Sequence, residues 1–474
     1  MIYTLAWGFQ RCSVQLQGQC ESLNTWDWAQ NWLHVFRVYA IPETTNGREG
    51  AIGIEIIDMK RFILSGKLLT STALLVLMVT GCSKKLNSDG LEHFDEDGAY
   101  LEKIQSFTSA RPANIKFYVE VSGSMNGFFR SNKPTNFKTD VWSVFSDFAS
   151  SSHGINIFFQ QNANPRTIGL EEFRNKMNAG AFVSGASTDV PDMLDRILND
   201  VDCKKSEVGI LVSDMKYDPV GNTALQVLLQ QYSIDIRNKM SNTGKALCLI
   251  VAMSDFLDKS GNVVCEDSPY YYLVIGKPEN VVWIRNFVCT LLKHHGHYVD
   301  AVEWGIDYKS PKVKISDPDY LNVENRSCLG GFDEDATIAL DIDITDYPWI
   351  YENADTLIKY LKVKSEIGME LKKLSKKDII YDITEDDGSQ LKRAAIAKVK
   401  LCLSDMYGDA DVLSITINTP EILLPNTKFL QFLGATDPND VSKTFSMEEF
   451  LSGCYSSMPR FREKKPVHIL ISKN

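Results

Sequence analysis

Three separated groups of oxygen-bearing side chains have the chemistry to share one cation. Glu120, Ser122 and Ser124 take alternate positions in "YVEVSGSMNG", where an apolar run ends. Ser187, Thr188 and Asp189 stand together in "SGASTDVPDM", and Asp214 closes the apolar run of "ILVSDM". Hydroxyls and carboxylates without histidine or thiolate suit Mg2+ or Mn2+, which prefer oxygen in an octahedral array and keep water or take a ligand oxygen. A loop without function needs polar residues but no particular spacing among them.

The elements around these groups predict how they meet. "NIKFYVEV", "INIFFQ", "VGILVSD" and "ALCLIVAMSD" read as short apolar strands. Between them, "TDVWSVFSDFAS", "DVPDMLDRILNDV" and "NTALQVLLQQYSIDIRNKM" carry apolar residues at helical spacing, with Pro191 in a first turn. "GNVVCEDSPYYYLVIG" has turn residues between extended segments, and "PENVVWIRNFVCTLLKHH" returns to helix. Alternation at these lengths predicts an α/β fold, an open and mostly parallel sheet with helices on both faces. In such a sheet ligands collect beyond the carboxyl ends of strands, where all three oxygen groups fall. After about residue 300 the texture changes to period-two strands such as "TIALDIDITDYPW" and "DVLSITINTPEILL", which predict a second, β-rich domain, a sandwich in architecture.

The chain here resembles the von Willebrand factor A family and its metal-ion-dependent adhesion site. Glu120-Val121-Ser122-Gly123-Ser124 is similar to that family's Asp-x-Ser-x-Ser, Thr188 to its later threonine, and Asp214 to the aspartate ending the following strand. The likeness covers about residues 112 to 295. It implies that Ser122, Ser124 and Thr188 contact a cation directly, that Asp214 binds directly or through water, and that a partner's Asp or Glu completes the octahedron. A bound metal supplies positive charge that an acidic protein lacks. Glu120 departs from the pattern by one methylene, which matters to an ion whose bonds are nearly fixed at about 2.0 to 2.1 Å. Three consequences stay open: a longer route to the metal, a preference for the looser Ca2+, or a site that no longer binds.

A different signal comes earlier. From Met59, "MKRFILSGKLLTSTALLVLMVTGCSKK" has a basic start, an apolar core and a small-residue cleavage site, the pattern of a secretory signal peptide. Its last four residues resemble a bacterial lipobox, which implies cleavage before Cys82, acylation of that cysteine, and a firm membrane anchor. Ser83 resembles an outer-membrane sorting signal. Residues 1–58, which crowd Trp7, Trp26, Trp28 and Trp32 ahead of this peptide, read as an upstream extension from a misplaced start. The expected organisation is therefore 1–58 extension, 59–81 signal peptide, 82–111 polar tether, 112–298 von Willebrand factor A-like domain, and 299–474 β-rich domain.

A formal net charge of -11 over 474 residues argues against a phosphate-tracking surface, so nucleic acid is not an expected partner. Apart from Cys12, Cys20 and Cys82, the cysteines are odd in number, have no CxxC pair and read as buried free thiols. His294, His295 and His297 cluster in "KHHGHY" without metal-ligand spacing; the expectation is that they end a helix, where positive charge favours the dipole. The sequence thus points to a cell-envelope lipoprotein, not an enzyme, that binds an acidic protein partner through Mg2+ or Mn2+, with Ca2+ as the alternative ion. A metal-free scaffold and a metal-assisted hydrolase using Glu120 or Asp189 as base are the other readings.

Overall fold

The run Asn114–Glu120 is rich in aromatic and β-branched residues and forms an interior strand, β1, of a seven-stranded sheet. Its other strands are β2 (Gly154–Gln160), β3 (Arg166–Ile168), β4 (Glu207–Ser213), β5 (Ala246–Leu257), β6 (Val263–Gly276) and β7 (Tyr298–Trp304), in the order β3-β2-β1-β4-β6-β5-β7. This is a computed structural model, which describes Phe94, Tyr100, Leu101 and, with short breaks, residues 107–472. Expectations for residues 1–58, for the signal peptide 59–81 and for Cys82 fall outside the described residues. Among the described residues no helix is long and apolar enough to cross a membrane.

Strands β1, β2, β4 and β5 point one way. β1 pairs in parallel with β2 on one side and β4 on the other, so chain order reverses at its carboxyl end. The strands read as continuous apolar runs because both faces are covered. Phe117 and Val119 enter one core while Tyr118 enters the other; Ile210 and Val212 of β4 oppose Leu211 in the same way. Helices α1 (Asn136–Ser150) and α2 (Leu170–Ala179) cover the first face. Helices α3 (Val190–Asp200) and α4 (Leu225–Met240) cover the second, and α5 (Pro278–His295) returns to the first. Both cores therefore lie against one α/β sheet.

The second half of the sheet differs from a simple alternation of strand and helix. A tight turn, in which Asp258 accepts the N–H groups of Ser260 and Asn262 and Gly261 takes φ +81°, joins β5 directly to β6. So short a connection can only reverse the chain, whereas parallel neighbours need a long crossover. β6 consequently lies antiparallel between β4 and β5, and β7 runs antiparallel to β5 at the edge.

Beyond β7 the chain builds two smaller sheets. One has five strands, Val313–Ile315, Thr337–Asp343, Glu370–Leu371, Ile379–Thr384 and Ala394–Ser404. The other has four, Cys328–Gly330, Leu361–Ser365, Ala410–Ile417 and Val467–Ser472. Ile338, Leu340 and Ile342 of the first share a core with Leu413, Ile415 and Ile417 of the second, and that core runs on into the first face of the large sheet.

The drawn boundary at 298/299 falls at the start of β7, which belongs to the seven-stranded sheet. The helix Met447–Ser457 also returns to it, sending Met447, Phe450, Leu451 and Cys454 into the second-face core beside Tyr232 and Ile236. Part of the expected tether is docked as well: Phe94 packs on Val412 and Leu470, and Tyr100 sits against the His468 ring at 4.6 Å.

Candidate functional site

β1 and β4 lie side by side and parallel, so their carboxyl ends deliver Glu120 and Asp214 to the same place. After Glu120 the chain passes Ser122 and turns through a single 3-10 segment, Ser124–Gly127, with the Met125 N–H on the Ser122 carbonyl. Thr188 arrives from the other direction, two residues before α3, whose start is fixed when Asp189 accepts the Asp192 N–H at 3.1 Å.

The side chains of these three segments form one connected network. Thr188 Oγ1 donates to Glu120 Oε1 at 2.5 Å, and Ser213 Oγ donates to the other oxygen, Oε2. Ser122 and Ser124 share a 2.8 Å hydrogen bond, and their hydroxyls stand near enough to Glu120 and Asp214 respectively to favour the charged carboxyls. Glu120, Thr188 and Asp214 are only 1%, 4% and 2% exposed, while Ser124 is half-buried and Gly123 exposed, so the network opens to solvent at the 123–124 turn. All five expected site residues, Glu120, Ser122, Ser124, Thr188 and Asp214, thus belong to one network. Ser187 lies outside the described residues, and Asp189 is committed to capping α3.

Electrostatics at this place are unfavourable without added positive charge. Burial pushes the Glu120 carboxyl up to about 7, reinforced by the charge of Asp214 and opposed by the hydroxyls of Ser122, Ser213 and Thr188. Burial raises Asp214 too, against the pull of Lys216, the Ser124 hydroxyl and the Lys216 N–H. Lys216 is a neighbouring cation, but its amine is spent on the carbonyls of Asp440 at 2.8 Å and Pro438 at 3.4 Å. Two buried carboxylates and three hydroxyls are a hard-oxygen donor set of the kind that fits Mg2+ or Mn2+. Met215, directly after Asp214, takes φ +57° while almost fully buried, a left-handed conformation costing a bulky residue about 1 kcal/mol or more.

Sequence reasoning missed two contributions. Ser213 is one: it faces Glu120 and also accepts the Met215 N–H at 2.7 Å, and its only signal was its place beside Asp214. The other is residues 437–444, which hold Lys216 and place the Thr444 hydroxyl on the Asp214 carbonyl at 3.4 Å. No local feature ties that segment to a strand end more than two hundred residues earlier.

A second polar cluster joins α1, the end of α5 and the start of β7. His294 and His295 do lie in the last turn of α5, before Gly296 in the left-handed conformation. His295 and His297, however, both turn their Nδ1 atoms to the buried carboxylate of Asp140, at 2.6 and 2.8 Å. Asp140 shares the apolar stripe of Phe137, Val144 and Phe148, and an acid in such a stripe was the available signal. Of the cysteines whose side chains are described, Cys203, Cys248, Cys265, Cys289, Cys402 and Cys454 are free, with Cys248, Cys289 and Cys454 buried.

Compared with family models, curated proteins and solved structures, the chain has no match.

Proposed function

We propose that the protein is a cell-envelope lipoprotein, anchored through Cys82 and sorted to the outer membrane, that binds a protein partner through a divalent cation in a von Willebrand factor A-like domain. The observation that carries this reading is the meeting of Glu120, Ser122, Ser124, Thr188 and Asp214 at the carboxyl ends of two adjacent parallel strands. Mg2+ or Mn2+ would be held by these residues, with Ca2+ the alternative if the longer Glu120 side chain favours looser coordination. The ion would supply local positive charge toward an acidic side chain of the partner. The half-buried Ser124 and exposed Gly123 give that side chain a route.

Titrating Mg2+ or Mn2+ into the purified protein while following thermal unfolding tests the reading. An ion present at a hundred times its Kd should stabilise the fold by about 2.7 kcal/mol. Asp214→Ala should lose that response, and Glu120→Asp, which restores the family's shorter acid, should strengthen it for Mg2+. Absence of any shift with either ion or with Ca2+ would remove the cation from the proposal.

One observation favours a second reading, a metal-free scaffold: both oxygens of Glu120 already accept hydroxyl hydrogen bonds. On that reading chelators leave stability and partner binding unchanged, and Glu120→Asp weakens the network with or without ions.

A further inference from the structure

Asp140 is fully buried at the start of α1, yet it is a carboxylate. Its oxygens accept from Tyr270 at 2.7 Å and lie 2.6 to 3.1 Å from the Nδ1 atoms of His295 and His297. Among the described residues no lysine or arginine forms an ion pair with it, and the two imidazoles are the ionisable side chains that meet its oxygens besides Tyr270.

We propose that Asp140, His295 and His297 form a second cation site, suited to Zn2+ and sharing no ligand with the oxygen site at Glu120. The donor chemistry separates the two: imidazole nitrogen with one carboxylate selects a borderline transition metal, whereas hydroxyls and carboxylates select a hard ion. The donors come from three differently anchored elements. Asp140 sits on α1, His295 on the last turn of α5, and His297 between α5 and β7, its backbone tied to Leu292 at 2.9 Å and Met253 at 3.1 Å. Around a tetrahedral ion with bonds of about 2.0 to 2.1 Å, neighbouring donors stand about 3.3 Å apart. The present carboxylate-to-imidazole separations of 2.6 to 3.1 Å need only a small opening, and all three donors lie within 4.8 Å of one another.

The surroundings match what a ligated metal requires. The Tyr270 hydroxyl fixes the carboxylate from behind, as supporting donors do in such sites. The imidazoles are 23% and 18% exposed at the side chain, which leaves an approach for the ion and a fourth position for water.

The test is metal binding by the untagged full chain with Zn2+ alone against a chromogenic chelator, and with Co2+ by its visible ligand-field absorption. One Zn2+ per chain is expected, with Co2+ giving the spectrum of a four-coordinate nitrogen and oxygen site. His295→Gln and His297→Gln should each weaken binding at least tenfold, while His294→Gln, on an exposed neighbour, should leave it unchanged. If a histidine variant does not fold, the wild-type stoichiometry and Co2+ spectrum decide alone. Less than one equivalent bound, a thiolate spectrum, or affinity unchanged in a folded His295→Gln, His297→Gln double variant would overturn the proposal.

Discussion

Burial and the neighbouring Asp214 both disfavour the charged form of Glu120, so in ion-free protein the folded state holds a proton there more tightly than the unfolded chain does. The sign follows from linkage: where the folded state binds more protons, stability falls as pH rises. With a chelator present, unfolding free energy should decline from about pH 4.5, the ordinary glutamate value, to about 7, and then level off. Glu120→Gln should flatten that decline, as urea denaturation at a series of pH values would record; an equal slope in both proteins would place the proton elsewhere.

At the scale of elements, Gly453 lets the helix Met447–Ser457 lie directly on α4. A Cβ there would stand 2.7 Å from the Ser233 carbonyl oxygen and 2.7 Å from the Ile236 Cβ. Backbone cannot yield as a side-chain tip can. Gly453→Ala should therefore destabilise the protein by about 1 to 3 kcal/mol through overpacking, despite the gain of about 1 kcal/mol that alanine brings to an unconstrained helix interior. Chemical denaturation measures the balance, and a more stable variant would contradict the close approach. The same helix follows the 437–444 segment that holds Lys216 beside Asp214, so its docking and the candidate site are neighbours along the chain as well as in space.

On the scale of the whole molecule, the large sheet and the two smaller sheets share a continuous core, and the chain crosses between them more than once. Asn426 shows how the return is fixed: its N–H donates to Asp300 and its amide nitrogen to the Val299 carbonyl, both on β7, while its side-chain oxygen accepts the Phe429 N–H. The proposed acyl anchor at Cys82 belongs to this scale because it would decide where the molecule works. Cys82→Ser should move the protein from the membrane fraction to the soluble fraction of cells, since several acyl chains on one residue hold far more firmly than weak surface contacts. Unchanged membrane association on fractionation would remove the lipid from the proposal.

The sequence by itself determined those features that have a local pattern. β1 and β4 were legible because strands covered on both faces must be apolar throughout, and the oxygen groups were legible because they stand where those runs stop. The end of α5 was legible in the histidines of "KHHGHY", two of which occupy its last turn. Only the tertiary structure decided which elements became neighbours. The apolar run of β6 marks it as extended but carries no information about the strand beside it, so its reversed insertion between β4 and β5 awaited the fold. An apolar stripe says that the helix Met447–Ser457 packs, not that it packs on α4. Asp140 and His295 are 155 residues apart, and nothing near either residue names the other. Burial and hydrogen bonding pair such groups across the chain, and those forces act through space, whereas residue patterns report only the surroundings of each element.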